Sequence, residues 1–357
     1  MLDLEEAVAL SVWRGASRVR VADLLRHTPR DAPLELLLEA LAGPARARSL
    51  APGLRARAVA ALSSAQRAGI RAVPFGDREY PELLASIPDP PVVLWLKGCA
   101  GALTRPAVAI VGSRAASDYG LDVATQLASD LGAAGAVVVS GLARGVDSAA
   151  HRGALASDAA TVAVLGSGVD VIYPAEHRSL AEAIAGGQGA VVSELPPGAP
   201  PRALHFPARN RIISGLSLAV VVIEAAERSG SLITADFGLE QGRAVMAVPG
   251  NIASGRHRGC HDLIRDGASI VESAEDVLSE LRLTSLRPRP DRPAGQTLAP
   301  DPLVSHMVAG ESYDLDALSR ATGLVPPALL PRLLELELQG TIRRVDGGRF
   351  VRSGRTC

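Results

Sequence analysis

The chain has 357 residues, 47% of them apolar and 3% aromatic, with a formal net charge of -1. That length exceeds what one core usually organises, so two or three domains are expected, and the balanced charge excludes a global basic field: any polyanion site has to be a local patch. Three cysteines without paired spacing (Cys99, Cys260, Cys357) argue against a disulfide framework, and no signal peptide or apolar run of membrane-spanning length is present, so a cytoplasmic protein without membrane contact is expected.

Residues 1–72 read as a small helical bundle of the SAM or helix-hairpin-helix kind. Leu4, Val8 and Val12 share a face, Leu34 to Leu41 is amphipathic, and Leu54 to Ala68 is a further short helix, with Pro29, Pro33, Pro44 and Pro52 separating the pieces. Arg14-Gly15-Ala16-Ser17 sits where a helix-hairpin-helix turn would, but it lacks the second close glycine that brings backbone to phosphate. A structural or protein-contact role is therefore favoured there over DNA binding. Val92 to Leu96 reads as an edge strand leading into a main sheet.

Residues 73–284 form the central unit. Short apolar runs at 107–111, 136–139, 161–165, 190–193, 218–223, 244–248 and 269–271 alternate with helical patterns, which predicts an α/β domain with a parallel sheet covered on both faces. Ser117 is the expected N-cap of the first helix, whose stripe is Leu121, Ala124, Leu127, Ala128 and Leu131. Residues 285–301 make a Pro/Arg-rich linker. Residues 302–357 then give three helices (303–309, 315–321, 327–338) and a hairpin turning at Asp346-Gly347-Gly348, the winged-helix arrangement. Its third helix carries Glu335 and Glu337 against Arg332, which would repel phosphate. The hairpin instead offers Arg343, Arg344, Arg349, Arg352 and Arg355, so protein contact and auxiliary DNA contact both stay open for this module.

The chemistry concentrates where strands run into small-residue turns: Val111 into Gly112-Ser113-Arg114, Val139 into Ser140-Gly141-Leu142-Ala143-Arg144-Gly145, and Leu165 into Gly166-Ser167-Gly168. Such loops line one edge of a parallel sheet, and glycine there lets backbone N–H groups approach an anion. No G-x-G-x-x-G fingerprint and no Walker lysine is present, so no nucleotide cofactor is expected. Asp147 and His151, four apart on a helix, read as a local structural hydrogen bond rather than a catalytic pair. His257, Cys260 and His261 lack a second ligand cluster, so no metal is expected. No serine elbow and no paired carboxylates point to catalysis. Binding chemistry remains: Arg114, Arg144, Arg202, Arg209 and Arg211 offer forks for phosphate, Ser113, Ser167, Ser229, Ser231 and Thr234 offer hydroxyls, and the ring of Phe206 is placed either to stack on an unpaired base or to fill the core. Single-stranded nucleic acid fits this set better than a mononucleotide.

Ile110-Val111-Gly112-Ser113-Arg114, Ser140 to Asp147 with His151, Phe206-Pro207-Ala208-Arg209-Asn210-Arg211-Ile212-Ile213, Ser229-Gly230-Ser231-Leu232-Ile233-Thr234-Ala235, and Gly242-Arg243 with Val248-Pro249-Gly250 resemble, in order, the signature blocks of the DNA-processing protein A (DprA/Smf) family. The resemblance covers roughly residues 75–283. It implies an extended Rossmann-like domain that binds and protects single-stranded DNA, dimerises, and loads the recombinase RecA during natural transformation, in some members displacing single-strand-binding protein. By position, Arg114, Phe206 and Arg209-Asn210-Arg211 match the family's DNA pocket, with Ser113, Gly141, Gly166 and Gly168 supplying close backbone. Arg202 is the basic residue near the place where some members carry a lysine ahead of the phenylalanine, and Gly238 stands where alanine is usual. Two other readings compete. The fold also resembles phosphoribohydrolases of nucleoside monophosphates, but Glu227 to Thr234 replaces their Pro-Gly-Gly-x-Gly-Thr loop and offers no carboxylate at the catalytic place. A winged-helix regulator of duplex DNA is disfavoured by the acidic third helix.

Overall fold

A computed structural model describes residues 3–29, 32–283, 301–308, 311–338 and 341–352. Arg355 and all of the expected linker except Asp301 lie outside them.

Four helices open the chain: α1 (Leu4–Ser11), α2 (Arg18–His27), α3 (Leu34–Ala42) and α4 (Pro44–Arg67). The sequence predicts a break at Pro52, yet α4 runs straight through it. Pro52 sits on the exposed side, while Ala47, Ala51, Leu54 and Ala58 are buried beneath α1 and α3; that packing outweighs the lost N–H bond of an interior proline. The bundle does not keep a core to itself. Leu10, Leu34, Leu37 and Leu38 belong to one apolar cluster with Val93, Trp95, Leu165 and Val191 of the sheet domain.

The sheet comprises β1 (Arg71–Pro74), β2 (Val93–Gly98), β3 (Ala107–Val111), β4 (Val137–Ser140), β5 (Thr161–Val164), β6 (Ala190–Ser193), β7 (Ala219–Val222), β8 (Ala244–Ala247) and β9 (Ser269–Ile270), in the order β1-β2-β6-β5-β4-β3-β7-β8-β9. From β6 to β9 every pairing is parallel, whereas β1–β2 and β2–β6 are antiparallel. The strand expected at the edge is therefore second from it. Arg71-Ala72-Val73-Pro74 takes the edge, a position that tolerates its proline but whose composition gives no strand signal in sequence. The short helix α5 (Glu82–Ala85) links β1 to β2.

Helices α6 (Asp118–Ala133), α7 (Val146–Ala156), α8 (Arg178–Gly186), α9 (His205–Gly215), α10 (Leu232–Glu240), α11 (Arg258–Arg265) and α12 (Ala274–Glu280) cover both faces. Alternate residues of β3 divide between them: Val108 and Ile110 pack with α6, α7 and α12, while Ala107, Ala109 and Val111 pack with α9, α10 and α11. This two-sided burial is why the strands read as unbroken apolar runs. No helix among the described residues is long and apolar enough to cross a membrane.

The tail is a winged helix: α13 (Pro302–Ser305), β10 (Ser312–Tyr313), α14 (Leu315–Thr322), α15 (Pro326–Leu338), β11 (Ile342–Val345) and β12 (Arg349–Arg352), with sheet order β10-β12-β11. Its first helix is a single turn, shorter than the sequence suggests. The basic edge is partly occupied internally. Arg343 Nη2 lies 3.3 Å from Asp122 and 3.6 Å from Asp118 on α6, and Arg352 donates to the Val304 and Met307 carbonyls.

Candidate functional site

A crevice of about 800 Å³ opens at the carboxyl ends of β3, β4 and β7. The sheet order reverses beside β3, and ligands of open α/β sheets bind at such a reversal. Its floor is Arg209 on α9, 5% exposed, with Nη1 donating to the Val164 carbonyl and Nη2 3.9 Å from Asp147. Gly141 makes this possible: a Cβ there would lie 1.9 Å from Nη1. Burial pulls the Arg209 guanidinium down to about 10, against the Asp147 carboxylate and together with the Arg114 charge, so it stays protonated at neutral pH. Burial likewise raises Asp147, with Arg209 opposing.

Asp147 and His151 are not partners of one another, contrary to the local hydrogen bond expected. The Asp147 carboxylate turns back over the first turn of α7 to accept the Gly141 (3.1 Å) and Ala143 (3.3 Å) N–H groups, and His151 Nδ1 instead meets Thr161 Oγ1 at 2.7 Å. Burial, with the charge of Arg209 adding to it, depresses His151 to about 3. The unfolded chain takes up a proton near pH 6.5 that the folded chain refuses until about 3. Stability is complete above 6.5 and should fall by up to about 1.4 kcal/mol per pH unit below it. His151→Gln should flatten that acid limb in urea denaturation; a limb as steep as that of wild type would remove His151 as its source.

One rim carries cation and rings. The exposed Arg114 guanidinium lies 5.5 Å from the centroid of Phe206, and the ring of Tyr173, 46% exposed, lies 5.4 Å from that of Phe206. Phe206 is half-buried and lines the crevice, so it is not a core residue. Its ring rests on Gly166, where a Cβ would come within 3.0 Å. Tyr173 is the aromatic lining residue that sequence reasoning missed. The available signal was a tyrosine among only four, placed shortly after a glycine turn.

The opposite wall is the turn into α10. Ser229 and Ser231 hydroxyls hydrogen-bond at 2.7 Å, Asn210 Nδ2 donates to the Gly230 carbonyl at 3.2 Å, and Thr234 is buried just behind them. Nothing lies within 4 Å of a Cβ built on Gly230, and the amino end of α10 faces the crevice, adding a partial positive charge.

Other expected residues are arranged differently. Gly112 lines the crevice next to Ser113, whose Oγ accepts the Ala115 N–H at 3.1 Å and so closes the turn. Ser167 is buried with its hydroxyl on the Val171 carbonyl, and the Gly168 N–H donates to Ala199, so this loop supports the rim without forming it. Arg202 is exposed between the lining residues Pro201 and Ala203. Arg144 pairs with Glu176 away from the crevice. Arg211 points to the other side of α9, because two positions along a helix are roughly 200° apart. There it pairs with Asp89 at 2.8 Å and with Glu194. Burial would depress its guanidinium, but those carboxylates outweigh burial and hold it above its ordinary value.

Residues 71–282 match the family model described as DNA recombination-mediator protein A, and residues 287–348 match one described as DprA winged helix domain. Over 293 residues the chain is 41% identical to Protein Smf of Escherichia coli (strain K12), covering 80% of this chain and 78% of that one. The X-ray structure of DprA from Streptococcus pneumoniae superposes with a TM-score of 0.68 at 37% identity, over 78% of this chain and 99% of that one. DNA processing protein A from Helicobacter pylori, whose structure is described for its single-stranded DNA binding mode, superposes with a TM-score of 0.54 at 28% identity, over 60% of this chain and 96% of that one.

Proposed function

The chain belongs to the DNA recombination-mediator protein A (DprA/Smf) family, and from that premise we propose that it binds single-stranded DNA in the crevice. The observation that carries this reading is the rim, where the Arg114 cation lies over the Phe206 ring with Tyr173 beside it. Rings stack on any unpaired base, and a cation next to them takes the adjoining phosphate; paired bases of a duplex offer no such face. Arg114, Phe206, Asn210, Ser229, Gly230, Ser231 and Thr234 are assigned to the strand, with Gly112 and Ser113 letting the backbone come close, and Arg209, for which Gly141 makes room, a buried positive floor. Arg202 is assigned to the strand's exit at the rim.

The wider role rests on the family resemblance. The protein protects an incoming strand in the cytoplasm and, as a homodimer, hands it to RecA during transformation and recombination, displacing single-strand-binding protein. No catalysis is assigned to the crevice. Asp147 is the carboxylate that lines it among the described residues, and two backbone N–H groups and Arg209 already engage it.

Fluorescence anisotropy of a labelled single strand and of its duplex across a salt series tests the reading. We expect preference for the single strand, with log K falling by about 0.7 per neutralised phosphate against log salt. Duplex binding as tight as single-strand binding would sink it. For the recombinase step, RecA filament assembly on a strand coated with single-strand-binding protein should accelerate; unchanged kinetics would remove the loading role.

A further inference from the structure

A second cavity, of about 290 Å³, lies between the helical bundle and the sheet domain. One wall is the connection from α1 to α2, with Trp13 and Arg14; the facing wall is Pro90-Pro91 and Glu194, and Arg211 also lines it. Gly15 gives this connection its shape. A Cβ there would fall 2.3 Å from the Trp13 ring, so only glycine lets the indole fold down over the backbone. The Arg14-Gly15-Ala16-Ser17 segment lacks the pattern for gripping phosphate through its backbone; with Trp13 just before it, the connection presents a flat ring and a cation instead.

The polarity of this cavity is graded. Arg211 is 1% exposed; Nε is held by Asp89 and Nη2 by Glu194, while the buried Nη1 has no acceptor among the described residues. A buried donor without a partner is costly, and a ligand oxygen would relieve that cost. Glu194 beside it disfavours a phosphate at that depth and favours a neutral carbonyl. Arg14 is exposed and has no carboxylate partner among the described residues. Neutral acceptor inside, flat ring between, anion outside: this is the order of groups in a nucleotide entering base first.

We propose that this cavity takes one unstacked nucleobase of the strand that occupies the crevice, its carbonyl on Arg211 Nη1, its face against Trp13 and its phosphate on Arg14. The proposal rests on the single-strand reading of the crevice. Helix α9 joins the two places, with Phe206 and Arg209 turned to the crevice and Arg211 to the cavity. The bundle thereby becomes part of the strand's track.

The chain's two tryptophans make the test direct, because Trp95 is fully buried and Trp13 reports on the cavity. Tryptophan emission of the full chain is titrated with oligothymidylate, with an abasic strand of equal length, and with thymidine monophosphate, while anisotropy follows strand binding in parallel. Expected are a saturable quench by oligothymidylate that is absent in Trp13→Phe and with the abasic strand, and a roughly fivefold loss of affinity in Arg14→Ala with the salt slope reduced by about 0.7. Strand binding by anisotropy with Trp13 emission unmoved, or an equal quench by the abasic strand, would overturn the base site and leave the crevice reading intact. Quenching by the free monophosphate alone would replace the strand by a mononucleotide. No strand binding at all would end both.

Discussion

Arg114→Ala will bind a single strand about tenfold or more weakly than wild type, with its denaturation midpoint little changed. Two contributions add. The guanidinium supplies one phosphate contact, so its loss should lower the salt slope by about 0.7. It also lies over the Phe206 ring, so its loss frees the ring on which a base would stack. Stability changes by no more than about 1 kcal/mol, because the side chain is exposed, makes no ion pair among the described residues and loses only its contact with that ring. Phe206→Ala should weaken binding comparably, by about 1–3 kcal/mol for one lost stack, without changing the salt slope. The pair of slopes separates charge from stacking. Affinity unchanged in Arg114→Ala, with duplex bound more tightly, would move the DNA site to the winged-helix tail.

Arg211→Met will instead show a large loss of stability. Its side chain is 2% exposed and neutralises Asp89 and Glu194, themselves only 21% and 14% exposed. Removing one member of a buried charge network strands the others, at a cost of about 3–5 kcal/mol. Arg18 also reaches Glu194, at 2.8 Å, but it is 43% exposed, so Arg18→Ala should cost less than about 1 kcal/mol. Urea midpoints of the two variants measure the contrast. A midpoint for Arg211→Met within that of Arg18→Ala would mean that the network merely breaks even with methionine.

The alternation of apolar runs and helical patterns made the parallel sheet legible, because its central strands are buried on both faces and show no polar alternation to confuse them with a loop. The glycine turns pointed to the right edge for the same reason. Side-chain direction was harder to read. Arg209 and Arg211 look equivalent in a linear block, yet helical rotation sends one to the crevice floor and the other to the bundle. Asp147 looked like a partner for His151 because the spacing allows it; what decided otherwise was a loop, residues 141–143, whose N–H groups come within reach only after folding. Pro52 and β1 failed as local signals because tertiary packing and an edge position override propensity.

The apolar cluster shared by the bundle and the sheet domain constrains how this protein can be shortened or recombined with its relatives. A chain beginning at residue 73 would turn Val93, Leu165 and Val191 toward water, an invitation to aggregation and proteolysis. A bundle grafted from another member would have to match the seam formed by Leu10, Leu34 and Leu37 against Trp95. Changes on either side of that seam therefore need compensating changes on the other.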